Sequence, residues 1–321
     1  MQQFEAKRAK VLELGSYLEN GSYRFSTDLR VMYKETMKES PILSSFEPDT
    51  QPIHINDDRP KLFTGSILWY CSNGDIKLFS ETETLILCAN KENYLRKINN
   101  QAHFAPHFRT PQLLQQDDKA LVLVEEFVPF RPKKVQDDSL ILSTIYEDYT
   151  RYFNEMQCWS KVAYRTMNNL LQTSSHTPYL QDYERIINEI DSALFDVEFP
   201  FLKLHGDLWT DNLLLGSEGL WYIDWDESAE YIFFYDFFKL IWNELDVHRD
   251  TSFYDSYINS QFDSQLERIF NLFGLDYQPE LKQSYFCLFF LNFILNDTSL
   301  KTYELKRFEL ADFKRKVLSS W

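Results

Sequence analysis

Glycine is scarce in this chain, 8 of 321 residues, so each one marks a place where the backbone is asking for something. Cysteine is scarcer still. Cys71, Cys88, Cys158 and Cys287 stand far apart with no Cys-x-x-Cys pair, which excludes zinc-finger spacing and a dense disulfide framework and points to reduced thiols. Basic residues are outnumbered, 33 Lys and Arg against 49 Asp and Glu, for a net charge of -16. Such a surface opposes binding to nucleic-acid phosphates, which depends on Lys and Arg displacing counterions. Long apolar runs are missing as well. The most apolar segment, YFCLFFLNFIL at 285 to 295, is shorter than the roughly 20 residues a membrane span needs. The opening MQQFEAKRAKVLELGSYLEN places charges where a signal peptide has its apolar centre. No internal repeat or low-complexity tract occurs. These absences lead to the expectation of a soluble, cytoplasmic protein with neither a nucleic-acid partner nor a membrane span.

The composition is that of an ordinary globular protein, 44% hydrophobic and 26% charged with 17% aromatic residues, and the length suggests two lobes. Residues 1 to 55 read as an extension of unknown role: a helix-like opening, a hairpin around SYRFSTDLRVMYKE, then the turn-rich SPILSSFEPDTQP. Residues 56 to 130 read as a small β-rich lobe. There KLFTGSILWYCSNGDIKLFS holds two β-rich runs about an Asn-Gly turn, a strong hairpin signal. The next segment, ETETLILCANKENYLRKINN, has apolar residues at Leu85, Cys88, Ala89, Leu95 and Ile98, predicting a helix capped by Thr84. The run ALVLVEEFVPF then reads as a buried strand entering a linker. Residues 131 to 321 read as mostly helical. One helix carries Ile141, Ile145, Tyr149, Tyr152, Phe153 and Met156 on its apolar face, a second runs through QDYERIINEIDSALF, and the aromatic runs from Tyr231 to Phe238 and at YFCLFFLNF read as core helices.

Between these helices lies LHGDLWTDNLLLGSEGLWYIDWDES. LLLGSEGLWYID predicts two strands around a glycine-containing turn, which would draw Asn212 and Asp224 together with Asp207 nearby. Asp carboxylate and Asn carbonyl oxygens are hard ligands suited to Mg²⁺, which shares its remaining positions with water and substrate phosphates. A third carboxylate, free of the metal, can take a proton from an attacking hydroxyl. The residue types and their order therefore predict a phosphoryl-transfer site.

The sequence HGDLWTDN followed by IDWDE resembles the catalytic loop and metal-binding segment of the aminoglycoside phosphotransferase and choline kinase group, relatives of the protein kinases. A similar His-Gly-Asp-Leu-Trp stretch occurs in fructosamine kinases. The resemblance covers about residues 60 to 245. It implies an α+β, two-lobed protein-kinase-like fold, with a small β-rich N-lobe and a larger, mostly helical C-lobe. It also implies Asp207 as catalytic base, Asn212 and Asp224 as magnesium ligands, His205 as a structural member of the loop, and Asp236 as its brace. In the N-lobe it implies a strand lysine against the ATP phosphates, paired with a glutamate on the following helix. Lys77 and Glu92 fit in order and spacing, with Lys34 and Lys91 as rivals for the lysine. The bend at Gly65 and Ser66 would cover the phosphates, and VLVEEFVP would be the hinge, with main-chain groups among Glu125, Glu126 and Phe127 meeting adenine.

Departures from the protein-kinase pattern bear on the substrate. Gly206 stands where those enzymes have Arg, and Trp225 and Asp226 stand where they have Phe-Gly. Only WDESAEYIFFY separates Asp224 from Asp236, too short for an activation loop that docks peptides. The expectation is an ATP-dependent, Mg²⁺-requiring kinase acting on a hydroxyl of a small molecule: a sugar, an amino sugar or an amino alcohol. Asp226, Glu227, Glu230, Glu244 and Asp246 would form a negative wall for a cationic amine if they are not simply a solvated face. The alternative is a catalytically silent kinase-like module that binds a nucleotide or a protein. His103 and His107 in HFAPH do not make a metal pair, because Pro106 spoils the geometry and no acid or thiol adjoins them.

Overall fold

The structure, a computed structural model, describes residues 2–37, 40–43, 52–175, 183–296 and 303–317. Much of the expected turn-rich segment before residue 52 lies outside them. The chain divides into two compact units, Met1–Val135 with Leu214–Tyr222, and Gln136–Leu213 with Ile223–Trp321. The class is α+β, with a β-rich first unit and a larger, mostly helical second one.

The first unit is built on an eight-stranded antiparallel sheet. Its strands are β1 (Gly21–Phe25), β2 (Val31–Lys34), β3 (Ile53–Ile55), β4 (Ile67–Tyr70), β5 (Ile76–Phe79), β6 (Glu83–Leu87), β7 (Leu113–Asp117) and β8 (Val122–Glu126), in the order β3-β1-β2-β4-β5-β6-β8-β7. The hairpins expected around SYRFSTDLRVMYKE and at the Asn-Gly turn are β1–β2 and β4–β5. The first 55 residues thus supply three of the sheet's strands. Register aligns Phe25, Met32, Leu68, Leu78, Leu85 and Val124 on one face, where they share a core with Val11 of the helix α1 (Gln2–Glu13) and with Leu14 and Leu18 just after it. On the other face Trp69, Lys77, Ile86 and Leu123 align, and Tyr94 of the helix α2 (Lys91–Phe104) packs against Ile86 and Leu123.

The helix expected from Thr84 does not form. Glu83–Leu87 is strand β6, and α2 starts at Lys91, where the Asn90 side chain accepts from the Asn93 N–H at 2.9 Å. The misreading has a physical cause. β6 is covered on both faces, so Leu85 and Ile86 are both buried and the alternation that marks a strand disappears. Thr84 and Ile86 are β-branched and favour the extended form.

In the second unit the helix α3 (Asp138–Cys158) buries all six residues expected on its apolar face. The second expected helix is cut short. It keeps only Glu184–Asn188, because the Asp191 carboxylate accepts from the Ala193 N–H at 2.9 Å and opens a separate 3₁₀ turn, while Gln181 and Asp182 lie outside the described residues. A three-stranded sheet pairs Ala163–Arg165, Phe199–Leu204 and Ala229–Ile232. The aromatic helix Tyr235–Asn243 is buried at every position, and Lys282–Leu295 at every position except Gln283. They form the core with stacked and edge-on rings such as Phe238 and Phe289. The predicted two-strand element is present as Leu213–Gly216 and Gly219–Tyr222, hydrogen-bonded neighbours in a separate small sheet. No helix among the described residues is long and apolar enough to cross a membrane.

Candidate active site

The strand Phe199–Leu204 delivers the chain into His205-Gly206-Asp207. Gly206 has φ +82, and a Cβ there would lie 2.2 Å from the Glu227 carbonyl oxygen. An arginine like that of the protein kinases has no room at this position. The His205 ring is fully buried. Its Nδ1 accepts from the Asp207 N–H at 3.3 Å, so Nε2 carries the proton and donates to the Ile223 carbonyl at 2.9 Å. His205 therefore ties the loop to the segment that leads into Asp224.

Two further bonds draw the proposed site residues together. The Asn212 side-chain amide donates from Nδ2 to the Asp207 carbonyl at 2.8 Å, and the Ile223 N–H donates to the Asn212 carbonyl at 3.0 Å. Asp207, Asn212 and Asp224 are thus neighbours. The Nδ2 bond fixes the orientation of the amide, in which Oδ1 is the acceptor. Asp224 is exposed and adopts the left-handed conformation, φ 64 and ψ 55, which is uncommon away from glycine and recurs at functional sites. An exposed Asp carboxylate beside an Asn carbonyl is a pair of hard oxygen donors that fits Mg²⁺, which does not require an all-protein cage. Among the described residues no group of three or more His, Cys, Asp or Glu could hold a metal by itself, and the His103 and His107 rings lie 6.2 Å apart without such a group.

The loop is held from behind by one helix, Tyr235–Asn243. This helix is apolar all round except for Asp236, Lys239 and Asn243, whose spacing of three and four puts them on a single face. The fully buried Asp236 carboxylate accepts from the His205 N–H at 2.7 Å, the Gly206 N–H at 2.9 Å and the Tyr149 hydroxyl at 2.6 Å. Burial pushes its pKa up, opposed by the His205 ring and these three donors. Lys239, 1% exposed, sets Nζ 3.6 Å from Asp207 Oδ1 and 3.8 Å from Glu309 Oε2. Asn243 donates to Asp207 Oδ1 at 3.3 Å.

The helix then passes into a π-helical turn, Glu244–His248, a geometry frequent at functional sites. Buried Glu244 accepts from the Thr210 N–H at 2.9 Å through Oε1, and its Oε2 lies 2.8 Å from His248 Nδ1. The other ring nitrogen of His248 is 3.4 Å from Asp211. Partial burial lowers the His248 pKa, but the two carboxylates outweigh it and the net shift is upward from 6.5. Trp209 stacks on His248 at 5.2 Å, and Trp225 packs on His205 at 4.5 Å. The sequence reading missed Lys239, Asn243, His248 and Glu309, although the polar stripe on an otherwise apolar helix is a signal for the first two.

The acidic wall expected for a cationic acceptor is largely engaged within the protein. Glu230 pairs with Arg165 at 2.5 Å, Glu244 with Thr210 and His248, and Asp246 with Lys316. Asp226 and Glu227 are half-buried beside Asp224.

The nucleotide elements expected in the first unit fall as follows. Lys77 lies on β5, on the sheet face that α2 covers, and β6 intervenes between its strand and that helix. Glu92 sits on the outer side of α2, 78% exposed, with its carboxylate on Arg96 at 2.7 Å, so pairing with Lys77 would require it to leave that partner. α2 turns a different ion pair inward, Lys97 with the fully buried Asp75 at 3.3 Å. Gly65 and Ser66 do not offer the amides a phosphate-covering turn needs. The Gly65 N–H donates to the Tyr17 carbonyl at 2.9 Å and the Ser66 N–H to the Phe79 carbonyl at 2.8 Å, and a Cβ at Gly65 would crowd Leu78 at 3.2 Å. Close packing within the sheet is what that glycine serves. In the expected hinge, Glu125 belongs to β8, the Glu126 N–H donates to Gln112 and the Phe127 N–H to Thr82, which moves any free hinge amide beyond Phe127.

The Phosphotransferase enzyme family matches residues 148–270. No curated protein matches the chain. Solved structures that resemble it include a choline/ethanolamine kinase family protein from Mesorhizobium loti, 15% identical over 87% of this chain and 92% of that one, with a TM-score of 0.45. Another is the macrolide 2'-phosphotransferase MphH from Brachybacterium faecium, 14% identical over 70% and 78%, TM-score 0.40. A third is a thermostable mutant of the aminoglycoside phosphotransferase APH(4)-Ia, 12% identical over 79% and 94%, TM-score 0.47. The matched residues hold the whole His-Gly-Asp loop, Asp224 and Asp236, and with them the chain resembles the aminoglycoside phosphotransferase and choline kinase group.

Proposed function

We propose that the protein is an ATP-dependent small-molecule kinase of the cytoplasm that transfers the γ-phosphoryl group to a hydroxyl of a sugar, amino sugar or amino alcohol. The observation that carries this reading is the joining of Asp207, Asn212 and Asp224 by the Asn212–Asp207 and Ile223–Asn212 hydrogen bonds.

In this reading Asp207 accepts the proton of the acceptor hydroxyl as the hydroxyl oxygen bonds to the γ-phosphorus. The bond from that phosphorus to the β–γ bridging oxygen breaks, and ADP departs with the electron pair. Asn212 and Asp224 would hold Mg²⁺, which when bound supplies neutralising charge to the phosphates. His205 and Asp236 keep the loop's amides oriented while these groups act. Lys77 is the lysine assigned to the ATP phosphates.

The test is ADP production from Mg·ATP across a panel of sugars, amino sugars and amino alcohols, with Asp207→Asn beside the native protein. As a general base Asp207 contributes about 10²- to 10⁴-fold to turnover, and the variant should lose that much while still binding ATP. Full turnover by Asp207→Asn would remove it from the mechanism. Nucleotide binding without turnover on any acceptor would favour the silent module.

A further inference from the structure

A lysine buried to 1% exposure is expensive to keep charged unless anions surround it, so its partners disclose what it is for. The partners of Lys239 include two carboxylates, Asp207 at 3.6 Å and Glu309 at 3.8 Å, and its Nζ lies 5.4 Å from the centre of the Phe293 ring. Glu309 comes from the C-terminal helix Tyr303–Lys316, beyond the matched residues 148–270. One helical turn after Lys239, Asn243 donates to the same oxygen of Asp207 at 3.3 Å.

We propose that Lys239 is a positioning residue for phosphoryl transfer: with Asn243 it clamps Oδ1 of Asp207, leaving Oδ2 to meet the acceptor hydroxyl, and Glu309 shares its charge so that the clamp orients Asp207 without capturing it. The inference rests on Asp207 being the base. A lysine paired with Asp207 alone would form a closed ion pair and compete with the substrate for the carboxylate. A second carboxylate on the far side divides the attraction, and the distances of 3.6 and 3.8 Å are those of a nearly even division. The C-terminal helix thereby becomes part of the site's electrostatics through Glu309.

The experiment uses the full chain in the variants Lys239→Met, Lys239→Arg, Glu309→Gln, Asp207→Asn and the double variant Asp207→Asn with Lys239→Met. Phosphate release from Mg·ATP, with water as acceptor, is followed alongside thermal melting. Misplacing a reacting group by about 1 Å can cost about 10²-fold, so Lys239→Met should lower kcat by that order with the KM for ATP within about twofold. Lys239→Arg should recover part of the loss, and Glu309→Gln should lower kcat by tightening the Lys239–Asp207 pair. In melting, Lys239→Met should lose several degrees in the native background and clearly less once Asp207 is already Asn, because the anion it strands is gone. Additive melting losses, or a Lys239→Met protein with native kcat beside an inactive Asp207→Asn, would overturn the clamp and leave the kinase reading standing. Native turnover in Asp207→Asn would instead remove the base on which the clamp depends. If water proves too poor an acceptor for any turnover, the melting cycle decides by itself: non-additive losses support the clamp and additive ones overturn it.

Discussion

Asp236 is the residue whose replacement should unfasten the His205–Asp207 loop, and its hydrogen bonds allow the cost to be worked out. Its Oδ2 accepts from the His205 N–H and the Tyr149 hydroxyl, and its Oδ1 accepts from the Gly206 N–H. All three partners donate and all are buried. Asn at this position keeps one carbonyl oxygen for His205 and Tyr149 but turns an amide group toward the Gly206 N–H, donor against donor. One unsatisfied buried donor costs about 1–3 kcal/mol. Ala abandons all three donors, and even with partial relaxation the loss should be about 3–6 kcal/mol. Guanidinium unfolding of the native protein, Asp236→Asn and Asp236→Ala should therefore give a graded series, with amide exchange at His205 and Gly206 accelerating in the same order. Equal destabilisation by Asn and Ala, or an Ala variant within about 1 kcal/mol of native, would refute the argument, since one donor or three could not then have been left unpaired.

Two other expectations follow from the same loop. Gly206→Ala combines a left-handed backbone, which costs an L-residue about 1–2 kcal/mol, with a Cβ 2.2 Å from the Glu227 carbonyl, so it should lower the melting temperature and impair turnover together. A variant that melts like the native protein would show that the segment around Glu227 yields easily. His248 has a pKa raised by Glu244 and Asp211, so its contribution to stability is complete below 6.5 and disappears as pH rises through the raised value. Melting temperature measured from pH 6 to pH 9 should fall across that window in the native protein and flatten in His248→Gln; an unchanged slope in the variant would assign the fall to another group.

What was legible in the sequence was whatever depends on short spacing. His205, Asp207, Asn212, Asp224 and Asp236 lie within 32 consecutive positions, and a tight loop, a two-strand turn and one helix start suffice to bring them together. The chemistry proposed for them, oxygen ligands beside a carboxylate, was argued from residue type. The Lys239 contact to Glu309 spans 70 positions and depends on how two helices pack, which no local period records. The error over 83–100 is the complementary case. A strand covered on both faces loses its alternation, and the misplaced helix start concealed that β6, not β5, precedes α2. That single strand is why Lys77 and Glu92, which suit each other in sequence spacing, do not present themselves as a pair.

The net charge of -16 invites the view that an acceptor is drawn in by its own positive charge, but the arrangement around the loop argues otherwise. Attraction at a site depends on carboxylates without internal partners, because a paired acid must surrender one cation to gain another and the exchange yields little. Glu230 holds Arg165, Asp246 holds Lys316, and Glu244 is engaged by the Thr210 amide and His248. Three of the five acids that the sequence offered as a wall are thus assigned to holding helices and loop in place. With those acids already committed inside the fold, the net charge acts as a general solvated surface that favours solubility and gives no preference for a cationic over a neutral acceptor.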